Sequence, residues 1–146
     1  MQRKQSFYAV RNTMHVMCDS PRPATQSLRY SLSGNLANVR TQLYQKRNGA
    51  FYLVAWVEKQ SFFRNKVINN APQAVKIRFE QPISRVRAYQ PSDTAGGIAR
   101  SNQPKQTYTQ PSVINLSVKD ALTILEIVPR GTALPGVSTK CSFAAS

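Results

Sequence analysis

The sequence predicts an all-β protein, an antiparallel β-sandwich of about eight strands with one N-terminal α-helix. Two observations predict it. Apolar residues recur at spacings of three and four over the first 17 residues and at a spacing of two from residue 28 onward. The alternating segments also follow one another at short intervals, with turn residues between them. A helix followed by a run of strands excludes alternating βαβ units, and 146 residues match the size of one domain.

The opening helix is predicted from Gln5 to Met17, where Phe7, Val10 and Met14 lie at helical spacing. Two prolines follow it and indicate a linker. We expect the chain to divide into four segments: a helix (residues 1–18), a linker (19–26), a β-sandwich domain (27–129) and a C-terminal tail (130–146).

The first strand of the sandwich alternates apolar and polar residues and stops at Gly34. A hairpin turn at Asn48-Gly49, a pair that accepts positive φ, precedes the most apolar strand. That strand has Tyr52 and Trp56 on one face and further apolar residues on the other, which predicts that both faces are covered. The other strands are predicted in VRTQLYQK, QAVKIRFE, SRVRAYQP, SVINLSVKD and ALTILEIVP.

The unusual property of the composition is its charge. Twenty Lys and Arg residues against six Asp and Glu residues give a net charge of +14. A field of this sign attracts polyanions, including nucleic acid and anionic polysaccharide. If their strands share a sheet, four cations form a stripe that could hold phosphate or uronate groups: Lys76, Arg78, Arg85 and Arg87. The simpler interpretation is a solvated strand face. No recognition helix, zinc-finger spacing or RNA-binding motif supports sequence-specific recognition of nucleic acid.

Catalytic residues are hard to find in this sequence. The six acidic residues are scattered, whereas glycosidic hydrolysis uses two carboxyl groups that face each other across the bond. His15 is the only histidine and lies among apolar neighbours in the predicted helix, which favours a packing or capping role. No second histidine or cysteine pair offers metal-ligand spacing, and no Gly-rich phosphate loop or G-x-S-x-G motif occurs. We therefore expect a protein that is not an enzyme and that uses neither metal nor cofactor.

The two cysteines, Cys18 and Cys141, lie near opposite ends of the chain. Their spacing leaves open whether they pair, and two unpaired thiols are the simpler expectation. No segment approaches the ~18 apolar residues of a membrane span. The basic start also lacks the continuous apolar stretch of a secretory signal. As written, the chain is expected in the cytoplasm without a membrane partner.

Several segments share motifs with a known family. YSLSG ends a strand, and LYQKRNGAFYLVAWVE fits the hairpin pattern L-x-Q-K-x-x-G-x-[FY]-Y-L-x-x-W-x-E. VRAYQP fits a V-x-x-Y-x-P corner, and ILEI fits the closing strand. Over residues 3–129 the chain resembles the C-terminal β-sandwich accessory domain of bacterial glycoside hydrolases that have TIM-barrel catalytic domains. The opening helix is similar to the last barrel helix of such enzymes at Lys4, Tyr8, Ala9, Val10, Asn12 and Met14.

The resemblance implies that the catalytic carboxylates belong to a barrel absent from this sequence. The module would then pack on that glycosidase catalytic domain or bind carbohydrate weakly. A sugar would stack on aromatic rings, for which Trp56, Tyr89 and Tyr108 are the candidates, with the four cations contacting an anionic glycan. For Trp56 the alternative is core packing in a central strand, with Glu58 at its polar end. A chain that is a fragment of a larger extracellular glycosidase would be secreted.

Two other functions remain open at this point. The net charge could make the chain a nucleic-acid-binding protein whose affinity falls steeply with salt. Alternatively, the apolar helix face with Phe7, Val10, Met14 and Met17 would have packed on the barrel, and its exposure would favour self-association.

Overall fold

The computed structural model describes residues 5–18, 26–93 and 103–132. It confirms the predicted fold class, because these ranges hold one helix and ten strands in antiparallel sheets. The helix α1 spans Gln5–Met17. The strands are β1 (Tyr30–Gly34), β2 (Val39–Gln45), β3 (Phe51–Val57), β4 (Phe62–Phe63), β5 (Lys66–Val67), β6 (Gln73–Phe79), β7 (Ile83–Tyr89), β8 (Gln106–Thr109), β9 (Val113–Val118) and β10 (Thr123–Pro129).

Three of these strands were not predicted from the sequence. They are the two-residue strands β4 and β5, which form a hairpin of their own, and the four-residue strand β8. Most of the predicted linker and tail lies outside the described residues, apart from residue 26 and residues 130–132.

The strands form two main sheets that pack face to face. One has three strands in the order β1-β6-β9, and the other has five in the order β2-β3-β10-β7-β8. Side chains that alternate along the strands fill the space between the sheets, as in other sandwiches. The largest of them are almost fully buried: Phe51, Leu53, Ile77, Val86, Ile114, Val118, Leu125 and Ile127.

Helix α1 covers the other face of the five-stranded sheet. Its residue Val16 is buried in a second apolar cluster with Tyr52, Val54 and Ile124, and Trp56 packs against that cluster in a half-buried position. Strand β3 is therefore covered on both faces, as its unbroken apolar sequence predicts. The layer order is helix, five-stranded sheet, three-stranded sheet.

The opposite side of α1 faces away from the sheet and is also apolar. Phe7, Val10 and Met14 lie on it, each more than two-fifths exposed. Met17 differs from the prediction for this face, because it packs against the buried cluster under the helix. His15 is exposed as well, so a packing role is wrong. It lies in the last turn of the helix.

Cys18 directly follows the helix and is disulfide-bonded. The expectation of an unpaired thiol is therefore wrong for Cys18, because spacing along a sequence does not show which chain segments meet. Cys141 lies outside the described residues. In the described part of the chain, no helix has the length and hydropathy that a membrane crossing requires.

Candidate functional site

The three aromatic rings predicted to stack on sugar are distributed over both faces of the five-stranded sheet. Trp56 and Tyr89 lie on the face that α1 covers, where Tyr89 is buried and Trp56 half-buried. Tyr108 lies in β8, pairs with Val86, and packs against the core between the sheets. The structure therefore does not bring the three rings together in one platform.

The four cations predicted to form a stripe lie in two different sheets. Lys76 and Arg78 are exposed on β6 of the three-stranded sheet, whereas Arg85 and Arg87 lie on β7 of the five-stranded sheet. The two pairs point away from the core on opposite sides of the sandwich. The condition for one stripe, that the two strands share a sheet, is therefore not met.

Glu126 of β10 is the centre of a polar cluster on the helix-covered face. It is opposite Tyr52 in β3 and Arg87 in β7, so that one row of side chains crosses three strands. The Tyr52 hydroxyl donates a hydrogen bond of 2.8 Å to Glu126 Oε2, and Arg85 Nη2 donates one of 3.3 Å to Oε1. Arg87 Nη1 is 3.9 Å from the same Oε1. A single carboxylate thus lies between two guanidinium groups.

Two polar contacts attach the helix beside this cluster. The Lys46 ammonium donates a hydrogen bond to the carbonyl oxygen of Val16 and lies 4.1 Å from the centre of the Tyr52 ring. This contact satisfies a carbonyl at the C-terminal end of α1, where helices leave such groups unpaired. Closer to the start of the helix, Nδ2 of the buried Asn12 side chain donates a hydrogen bond of 3.3 Å to the carbonyl oxygen of Pro91. These two contacts therefore hold the helix on the sheet.

The tyrosines of the cluster stay protonated at neutral pH. Burial raises the pKa of Tyr52 far above its ordinary value, and the negative charge and hydrogen bond of Glu126 raise it further. Burial also raises the pKa of Tyr89, again with a contribution from Glu126. The Tyr52 hydroxyl consequently remains a hydrogen-bond donor to the carboxylate. The described residues contain no group of three or more His, Cys, Asp or Glu side chains that could hold a metal ion.

The hairpin of β4 and β5 presents three apolar residues that are more than half exposed, and it was not predicted from the sequence. Phe62 and Phe63 are each more than half exposed, and Val67 is exposed to 73%. The signal that could have found it is the segment SFFRNKVI, in which a polar Arg64-Asn65 turn separates two short apolar runs.

Two open clefts lie at opposite ends of the sandwich. The first, of about 230 Å³, is lined by residues of the loops around Asp93, Lys119 and Leu122. The second, of about 450 Å³, has Arg78 and Arg130 in its wall together with Glu80. Its lining carries more positive than negative charge, and that makes it the cleft better suited to an anionic group.

No protein-family model, no curated protein and no solved structure matches this chain.

Proposed function

We propose that this chain is a non-catalytic β-sandwich module that docks to a larger partner domain through the outer side of its N-terminal helix. The proposal rests on one observation, that α1 is apolar on two opposite sides. Val16 is buried on the sheet, while Phe7, Val10 and Met14 face away from it. A helix at a protein surface normally has a polar outer side, so an apolar one fits a second packing partner.

The partner we propose is a catalytic domain of the kind found in glycosidases. This choice follows from the resemblance of the helix to the last helix of a TIM barrel, whose outer side would pack within the barrel layer. The burial of Tyr89 and the packing of Tyr108 against the core favour docking over sugar binding. Weak carbohydrate binding, in which Trp56 would stack on the sugar, is the alternative to docking.

Light scattering over a concentration series tests the docking surface. Without its partner, the wild-type chain should self-associate, since the three apolar side chains of the outer helix side would otherwise stay in water. The double variant Val10→Gln, Met14→Gln should be monomeric with an unchanged unfolding temperature, because Gln is a good helix former and both positions are exposed. His15→Gln, another exposed change in the same helix, is the control and should behave like wild type. A wild-type chain that is strictly monomeric at all concentrations would count against the proposal.

A second function, polyanion binding, has its own supporting observation. Lys76 and Arg78 are exposed on β6, and their neighbours across the sheet are uncharged: Ser31, Ser33, Val113 and Asn115. The charge of Arg85 and Arg87, in contrast, is partly compensated by Glu126. Arg78 also lines the larger cleft with Arg130. We therefore propose the outer face of the three-stranded sheet as the place where phosphate, sulfate or uronate groups would bind.

Elution from immobilised heparin tests this second function. Arg78→Gln should lower the salt concentration needed for elution, because each lost cation–anion contact reduces the salt dependence by about one unit of slope. Arg40→Gln is a matched control, since Arg40 is equally a surface arginine but is paired with Glu58. If both variants elute at the same salt concentration, the position of the cations does not matter and only the net charge determines heparin binding.

A further inference from the structure

The β4–β5 hairpin is separate from both sheets of the sandwich. Phe62 pairs with Val67 and Phe63 with Lys66, which leaves a two-residue turn between them. Both turn residues have positive φ, 46° at Arg64 and 61° at Asn65, as a type I′ turn requires. The hairpin thus has a defined geometry although it is only two residue pairs long.

Folding does not account for the apolar residues of this hairpin. Burying a phenylalanine side chain stabilises a protein by about 1.5–3 kcal/mol, yet neither Phe62 nor Phe63 belongs to a core cluster. Val67 of β5 and Ile68 after it are exposed as well. Because successive residues of a strand point to opposite faces, Phe62 and Val67 lie on one face of the hairpin and Phe63 lies on the other. Exposed apolar side chains on both faces of one short hairpin indicate a binding surface.

The charges of the hairpin segment favour an anionic partner, although Asn70 at its end donates a hydrogen bond of 3.2 Å to Asp120. Residues 59–70 contain Lys59, Arg64 and Lys66 and no Asp or Glu. The Arg64 guanidinium carbon lies 5.1 Å from the centre of the Phe63 ring, so a cation and an aromatic ring are already adjacent. The hairpin therefore combines stacking surfaces with three positive charges in one short segment.

Among anionic partners, single-stranded nucleic acid matches both properties. Its unpaired bases have flat π-faces that stack on aromatic side chains, and its phosphates pair with cations spaced along the strand. A duplex keeps its base faces stacked, and a glycan offers anions without aromatic rings. We propose that the β4–β5 hairpin binds single-stranded nucleic acid, with Phe62 and Phe63 stacking on bases and with Lys59, Arg64 and Lys66 contacting phosphates. The charge component rests on the polyanion-binding function proposed above, whereas the stacking component is new.

Fluorescence anisotropy with two labelled oligomers separates stacking from charge. One is oligo-dT, and the other is an abasic oligomer of equal length that has the same phosphates but no bases. The wild-type chain should bind oligo-dT more tightly. The variant Phe62→Leu, Phe63→Leu should weaken oligo-dT binding by at least about tenfold and leave abasic binding unchanged, because leucine keeps the apolar bulk but has no π-face. Tyr44→Ala, which removes a ring that is 49% exposed on β2, is the matched control and should have no effect.

Further variants and ligands define the outcomes that would overturn the proposal. Arg64→Gln with Lys66→Gln should weaken binding of both oligomers. If wild type binds the two oligomers equally and the leucine variant changes nothing, charge alone acts, which overturns stacking but leaves polyanion binding intact. If neither oligomer nor heparin is bound, both proposals fail. Binding to anionic lipid vesicles, with no preference for oligo-dT, would assign the hairpin to a bilayer surface and overturn the proposal. Because the rings are exposed, the unfolding temperature of all variants should match wild type.

Discussion

The variant Glu126→Gln tests how strongly the polar cluster on the helix-covered face stabilises the fold. Gln has nearly the same shape without the charge, so Arg85 and Arg87 would remain close together without a counter-ion. Removing one partner of a buried ion pair costs about 3–5 kcal/mol, while an exposed pair contributes about 0–1 kcal/mol. The Glu126 side chain is 14% exposed and the two guanidinium groups are 32% and 37% exposed. The expected loss in the free energy of unfolding lies between these limits, at about 2 kcal/mol.

Glu58→Gln is the matched control for this change. Glu58 Oε2 is only 2.6 Å from Arg40 Nε, a shorter contact than any that Glu126 makes with an arginine. Both side chains are more than half exposed, however, at 61% for Glu58 and 55% for Arg40. Water screens the pair, and its loss should cost less than about 0.5 kcal/mol. Distance alone would rank the two variants in the opposite order, so the comparison isolates the effect of burial.

Urea unfolding followed by the fluorescence of Trp56, the only tryptophan, measures both variants. The midpoint should shift to lower urea in Glu126→Gln, with an unchanged slope m if the exposed surface on unfolding stays the same. The reasoning is refuted if Glu126→Gln lies within about 0.5 kcal/mol of wild type, or if Glu58→Gln costs more.

Four other substitutions have defined outcomes. The pKa of Tyr52 is raised in the folded protein, so its contribution to stability should be fully present below about pH 10. At higher pH the free energy of unfolding should fall by about 1.4 kcal/mol per pH unit for each tyrosine that stays protonated. In urea titrations, Tyr52→Phe should show a shallower decline with pH. Gly34→Ala should lower the free energy of unfolding, measured by chemical denaturation, by about 2–4 kcal/mol. The reason is that φ is +100° there and the new Cβ would lie 2.6 Å from the Ala74 carbonyl oxygen. Gly131→Ala, with open space at its Cβ, should lower it by only about 1–2 kcal/mol. Trp56→Ala should lower the free energy of unfolding by about 3 kcal/mol without affecting glycan binding. A loss of glycan affinity at unchanged stability would instead assign Trp56 to a sugar site.

The layer arrangement around β3 follows from the sequence because periodicity reports burial on each face. An alternating strand such as β6 has one covered face, and the unbroken apolar run from Phe51 to Val57 requires two. The helix was predicted with the correct bounds for the same reason. Which helix side meets the sheet did not follow, since both sides are apolar and only the structure shows that Val16 is buried while Val10 is exposed.

The arrangement of charged groups could not be read from the sequence. Alternation shows that Arg78 and Arg87 both point away from the core, but not that β6 and β7 belong to different sheets. The connection between these strands is short, which is equally compatible with a hairpin within one sheet. In the sequence Glu126 is one of six scattered acids, because its neighbours Tyr52 and Arg87 are far away along the chain and adjacent only across the strand pairing.

The hairpin of β4 and β5 lies below the length at which periodicity is informative. Two residues per strand give one repeat of an alternating pattern, and the ladder between them contains only two residue pairs. The Arg64-Asn65 turn is only a weak signal, because positive φ is uncommon for a residue with a long side chain such as Arg64.

The position of β10 has a consequence for how the chain is made. This last described strand lies between β3 and β7, so the five-stranded sheet is joined only through it. Until residues 123–129 have left the ribosome, β3 and β7 each expose an unpaired edge, and their apolar faces stay uncovered. Folding must therefore be largely completed after synthesis of this segment. Chains that stop before residue 123 should accumulate as aggregates, whatever the stability of the remaining hairpins.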